Sequence, residues 1–328
     1  MPDHQQPEPA GDILLPAVGD PCGPSVWVPP ARAPRGPVEK PEPPSVERPL
    51  FLPSAAMTIL SVMALTFALS ISLVGAVKHA RDQQTAFATL RGTLANATTP
   101  VAQVDDAKNV TQPGTPIAVL DVPQLNLREV VVEGTSSGVL MGGPGHRRDT
   151  PFPGQPGTSV IFGRQAAYGA PFRDLGDLVA GNVFSITTGQ GRQVFRVVTV
   201  RRAGDLEPPA LEAGKSRVSL VTSAGTPWAP DGSLLRVDAD LVGSAQQGGS
   251  RPITQAMLAT AEREMQADQS AWIWILLLSQ ALVGASFAVT WARFRWGRWQ
   301  VWLAGGPLLL ALGLGLSNYL AELLPNLL

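Results

Sequence analysis

The octapeptide VSLVTSAG, Val218–Gly225, is a β-branched, apolar run that ends on a small hydroxyl residue, Ser223. A strand end that opens into a loop is a common place for a nucleophile. Serine has almost no alkoxide near neutral pH, so it attacks only when an adjacent base takes its proton. The nearest carboxylates in sequence are Asp231 and Asp238. The histidines His4, His79 and His146 are far apart and have no HExxH-like spacing, and the one thiol, Cys22, lies in a proline-rich stretch. Neither a zinc site nor a CxxC pair is expected, and no metal or cofactor is assigned.

The elements that must position Ser223 are short. From Pro116 the pieces IAVLDV, REVVVEG, TSVIFG, NVFSITTG, QVFRVVTVRR, RVSLVTS and LLRVDADLVG alternate with Gly/Pro turns. That texture predicts a mainly β domain, a barrel or sandwich of seven to eight strands, over residues 115–243. Helical insertions are expected at TSSGVLMGG and YGAPFRDLGDL, and a helix at PITQAMLATAEREMQAD within a linker spanning 244–270. Residues 78–114 start with a helix-compatible stalk that places Phe87, Leu90 and Leu94 on one face. Asn96 and Asn109 match the N-x-T sequon, which has meaning only in a cell that glycosylates secreted proteins.

The remaining apolar residues are clumped in three uncharged runs, 50–77, 269–292 and 299–321, within which transmembrane helices are expected at 50–77, 271–292 and, reaching just past the last run, 299–323. Each exceeds the ~20 residues that cross a bilayer core, so three transmembrane helices and a lipid-bilayer partner are expected. The connector RFRWGR places Arg293, Arg295 and Arg298 in six residues without an acid, and short arginine-rich loops stay cytoplasmic. Trp272, Trp274, Trp291, Trp296, Trp299 and Trp302 flank the last two runs, where interfacial anchors belong. The expected topology is a multi-pass plasma-membrane protein whose N-terminus is cytoplasmic and whose β domain and C-terminus are outside. No run contains an internal charge, which argues against a transport pathway. Residues 1–49 hold fourteen prolines and read as a disordered cytoplasmic tail, with recognition by a proline-reading module as the alternative. A net charge of −1 without a basic stripe excludes nucleic acid as a partner.

The ordered series PIAVLDVPQLNLREVVVEGT, GPGHRRDTPFPGQPGTSVIFG, YGAPFRDL, VSLVTS and LLRVDADL resembles the sortase family of cell-surface cysteine transpeptidases. The resemblance implies a sortase-like β-barrel. It also implies a chemistry in which a cysteine, a histidine and an arginine cleave an LPxTG-type motif and pass the acyl group to an amine. The three positions correspond here to Ser223, Arg164 and Arg236, so only the arginine is kept. His146 matches a different family histidine, one without an established role in the chemistry.

An arginine at the base position cannot accept a proton at physiological pH, so the implied site is degenerate. The leading expectation is a catalytically inactive sortase-like protein, binding a peptide or an anionic wall component, or scaffolding another membrane or surface protein. Arg164 and Arg236 beside Ser223 would suit an anion, with Tyr168 and Trp228 lining the same groove. The bland alternative pairs Arg164 with Asp231 or Asp238 and gives it no further role. The enzymatic alternative is a serine-dependent acyltransferase or hydrolase that uses Ser223 with an unidentified base.

Overall fold

The computed structural model describes residue 61 and residues 65–104, 109–226, 229–295 and 298–328. Eight strands close into a barrel: β1 (Pro116–Val122), β2 (Leu127–Glu133), β3 (Gly145–His146), β4 (Gly157–Phe162), β5 (Val183–Thr188), β6 (Gly191–Arg201), β7 (Ser216–Thr226) and β8 (Ala229–Leu241). Their order around the barrel is β1-β2-β3-β4-β7-β8-β6-β5. The β2–β3 and β4–β7 pairs are parallel and the others antiparallel. The mainly β, barrel-forming class expected from the sequence is the one observed.

Period-two alternation gives the β4–β7–β8 wall two apolar faces. Ile161, Val218, Leu220, Leu235, Val237 and Ala239 fill the barrel interior with Phe172, Phe184 and Phe195. Val160, Phe162 and Val221 point the other way, into a second cluster with Leu140 and Leu327. A barrel of this size needs one packed interior; the second face needs a cover.

The stalk is helical, as expected: α1 (Gly75–Ala95) continues a helix described from residue 65, through a π-turn at Ser70–Val74. The rest of the predicted first span, 50–60 and 62–64, lies outside the described residues, as does the proline-rich tail. The insertion at TSSGVLMGG contains the one-turn helix α2 (Ser137–Leu140).

Two expected helices do not form. YGAPFRDLGDL folds into turns with one 3₁₀ turn at Leu175–Asp177. Tyr168 and Ala170 take left-handed φ values of 52° and 47°, which an α-helix excludes. Phe172, Leu175 and Leu178 all enter the barrel core, a spacing of three that suits 3₁₀ and not α geometry. The segment 252–268 contains only the 3₁₀ turns Gln255–Met257 and Thr260–Glu262. Its carbonyls are taken by tertiary partners: Glu262 O accepts from Thr135 Oγ1 at 2.6 Å, Arg263 O from Asn326 Nδ2 at 2.9 Å, and Gln266 O from Asn326 N at 3.0 Å. Met265 at φ 55° interrupts any helical register.

Helices α3 (Ala271–Arg295) and α4 (Arg298–Glu322) follow. Among the described residues these two are long and apolar enough to cross a membrane, over Ala271–Ala292 and Trp299–Glu322. The α3 side chains Trp272, Ile273, Leu276, Val283, Phe287 and Trp291 are exposed, so α3 is no core helix; such a surface suits lipid. The two helices pack closely: a Cβ on Gly305 would lie 2.8 Å from Val289 Cγ2, and Trp274 stacks on Tyr319 with centroids 5.9 Å apart.

Candidate functional site

Strand pairing brings the three sequence-predicted positions onto one wall. In the parallel β4–β7 pair Phe162 lies beside Val221, and across the antiparallel β7–β8 pair Val221 faces Arg236. Ser223 is one same-face step beyond Val221, and Arg164 is two residues beyond Phe162. All three therefore belong to the outer face, the one that carries the Leu140–Leu327 cluster. A register shift between Ser223 and Gly225, with Gly225 at φ 93°, breaks the ladder beside Ser223. Bulges of this kind re-aim side chains at barrel rims.

Ser223 is fully buried, and its Oγ donates to Ala224 O at 3.2 Å. Among the described residues no Asp, Glu, His or Lys hydrogen-bonds it; the Asp231 side chain lies outside them. Asp238 faces Ser219, four residues before Ser223, so about 13 Å along the strand at ~3.3 Å per residue. Its carboxylate is held by Arg201 Nε at 2.6 Å.

Arg164 is fully buried. Its Nη2 donates to Ser137 O at 3.0 Å and Ser137 Oγ at 2.7 Å, and its Nη1 donates to Leu328 O at 2.9 Å. Asp238 is not its partner among these bonds, and the Asp231 side chain lies outside the described residues. Ser137 Oγ also lies 3.5 Å from Ala321 O and 3.4 Å from Leu324 O, at the C-terminal end of α4. The guanidinium thus sits by the negative end of a helix, where a cation is favoured. Burial still pulls its pKa down to about 10, partly opposed by Tyr168 and Glu322, so it stays charged at physiological pH.

The other predicted groove residues differ in fate. The Tyr168 ring lies 5.3 Å from the Arg164 guanidinium and packs with Met141, Ala167, Ala321, Phe67 and Ile71. It is buried packing between the barrel and the helices, and burial pushes its hydroxyl pKa up. Trp228 lies outside the described residues. Arg236, partly exposed, pairs through Nη2 with Glu264 Oε1 at 2.5 Å. Arg147 Nη1 lies 3.5 Å from the same carboxylate oxygen. His146 is a structural residue of β3: its Nδ1 lies 2.7 Å from Glu133 Oε2 and its Nε2 3.0 Å from Pro151 O, all without solvent access.

What the sequence reading did not contain is the cover. Residues 263–266 and 323–328 lie over the outer face. Met265 and Leu327 enter its apolar cluster, Gln165 N donates to Leu327 O at 3.0 Å, and Asn326 Nδ2 donates to Thr135 O at 2.8 Å. A run such as LLPNLL after a predicted span carries no local signal for this seat, because the partners that make it are about 160 to 190 residues earlier.

Residues 120–229, from β1 to the start of β8, match the sortase domain. This chain carries a sortase-family domain. It is 28% identical over 101 residues to sortase D of Bacillus subtilis (strain 168), a match that covers 30% of this chain and 50% of that relative. The chain thus spans half the length of the curated relative it matches. A solved structure of a Clostridium perfringens sortase D5 transpeptidase superposes with a TM-score of 0.41 at 18% identity, covering 50% of this chain and 99% of the other. Sortase E from Streptomyces avermitilis superposes with a TM-score of 0.35 at 26% identity, covering 44% and 99%. The sortase resemblance read from the ordered strands stands, and the barrel that carries Ser223 is the matched domain.

Proposed function

We propose that this sortase domain is catalytically inactive and works outside the membrane as a non-covalent binding or scaffold module at the cell wall. One observation carries the reading. The Ser223 hydroxyl is buried and turned onto its neighbour's carbonyl, while the position where the resemblance expects a base holds a charged, buried Arg164. A serine without a proton acceptor is a poor nucleophile, and a guanidinium cannot take its proton.

The placement outside rests on parity and charge. Two helices separate the barrel from residues 323–328, and those residues touch the barrel, as a hairpin that crosses and returns requires. The arginine-rich connector of that hairpin then lies on the cytoplasmic side.

The test uses the full chain in detergent micelles. Incubation with an LPxTG-type peptide, and separately with a serine-directed fluorophosphonate, should leave the mass of the Ser223 peptide unchanged. An acyl or phosphonyl adduct on Ser223 would establish serine chemistry and end the pseudoenzyme reading.

A further inference from the structure

We propose that residues 324–328 are a tethered ligand of the outer barrel face, a leucine-bearing turn that closes the groove above Ser223, with Arg164 as its latch. The inference rests on the reading of the barrel as a non-covalent module and adds what occupies it.

The seat has specific features. Leu327, fully buried, fills an apolar pocket of Leu140, Val160, Phe162 and Val221. Around that pocket stand two donors, Gln165 N to Leu327 O and Arg164 Nη1 to Leu328 O. Two acceptors complete it: Thr135 O for Asn326 Nδ2, and Gln266 O for Asn326 N. Leu328 N closes a turn on Pro325 O at 3.2 Å, and Pro325 has no N–H that would need a partner. Every one of these contacts is made by a backbone group, one amide side chain or one leucine. A peptide of the same chemistry in trans would satisfy the same groups.

Two features mark the seat as a site and not a filled core. Arg164 is a full charge placed where burial disfavours it: Ser137 holds its Nη2, its Nη1 donates to Leu328 O, and its Nε has no hydrogen-bond partner among the described residues. The donors and acceptors also converge on a five-residue stretch with no secondary structure of its own beyond a turn. A short tether holds such a stretch at an effective concentration on the order of millimolar. A free peptide therefore competes with the resident segment, and removing the segment should raise the peptide's apparent affinity by about tenfold or more.

The probe is a fluorescent, amidated Leu-Leu-Pro-Asn-Leu-Leu peptide with a solubilising Gly-Lys-Lys at its N-terminus, and a scrambled version corrects for partition into the micelle. Anisotropy is read on the full chain and on a full-length variant whose residues 324–328 are replaced by alternating Gly and Ser. The variant should bind the probe at least about tenfold more tightly than the unmodified chain, and Arg164→Ala in that background should lose the gain. Equal affinity of the two chains, or no binding by a folded variant, would overturn the proposal.

Hydrogen exchange on the unmodified chain gives a second measurement that needs no substitution. Saturating probe should speed exchange at the Asn326 amide and leave the barrel-core amides unchanged. Exchange at Asn326 unaffected by the probe would also overturn the proposal. An adduct on Ser223 would sink the pseudoenzyme reading alone, since displacement of 324–328 is read independently of any chemistry.

Discussion

At the scale of single residues, charge burial is the recurring theme. Lowering the pKa of Arg164 to about 10 corresponds to a cost on the order of 3 kcal/mol for keeping the charge. Because the folded-state value is the lower one, that cost is present below about 10 and fades as pH rises toward the ordinary guanidinium value. Hydrogen bonds to a charged donor return about 1.5–3 kcal/mol each, so its bonds to Ser137 and Leu328 offset the cost. Glu262 is a simpler case. Burial pushes its carboxyl pKa up, with Arg148 opposing and Glu133 reinforcing. A carboxyl raised in the folded state lowers stability once the pH passes its unfolded value, and the penalty is relieved on acidification. We therefore expect Glu262→Gln to raise the thermal midpoint at pH 7, and the gain to vanish below about pH 4, where both states are protonated. A gain of equal size at both pH values would show that ionisation is not its cause.

Among the elements, β3 and the 255–268 segment set the geometry of the outer face. β3 has two residues, and a Cβ on Gly145 would lie 2.1 Å from Gly134 O and 2.7 Å from Leu140 Cδ2. The first of those atoms is backbone, so the strand pair must separate to admit it. Gly145→Ala should cost about 2–3 kcal/mol in chemical denaturation, at the upper end for overpacking. A loss below about 0.5 kcal/mol would mean that β3 shifts freely on β2. The 255–268 segment makes the complementary point. Its residues suit a helix, yet Thr135 and Asn326 take its carbonyls, and the Arg236–Glu264 pair draws it onto β8.

For the whole molecule the decisive question is which side of the membrane each part occupies. In the proposed topology the barrel and residues 326–328, which touch, share one side, and the connector with arginines at 293, 295 and 298 lies on the other. Protease added to intact cells should cut within 115–243 and spare residues 293–298. A reporter fused after residue 328 should be active only outside the cytoplasm. Activity of that reporter in the cytoplasm alone would refute the hairpin and with it the outward placement of the barrel.

The barrel was legible in the sequence because strands write a period of two into local residue order. VSLVTS and LLRVDADL show one face to the core wherever the chain runs, and the order of such pieces with their turn residues is enough to identify the sortase domain. That Ser223 lies near the end of β7 and Arg164 just beyond β4 was legible for the same reason, since it needs only the position of a residue at a strand end. What Arg164 does was not legible. Its partners, Ser137 and Leu328, are 27 and 164 residues away, and nothing in the local pattern at IFGRQ distinguishes an anion receptor from a latch. The same holds for Tyr168, expected in an open groove and found packed beneath the guanidinium, and for the helix expected at 252–268. In each, local preference was outweighed by hydrogen-bond partners or packing surfaces supplied from distant parts of the chain. Such contacts exist only once the barrel has closed and the two apolar helices have returned the chain to its outer face.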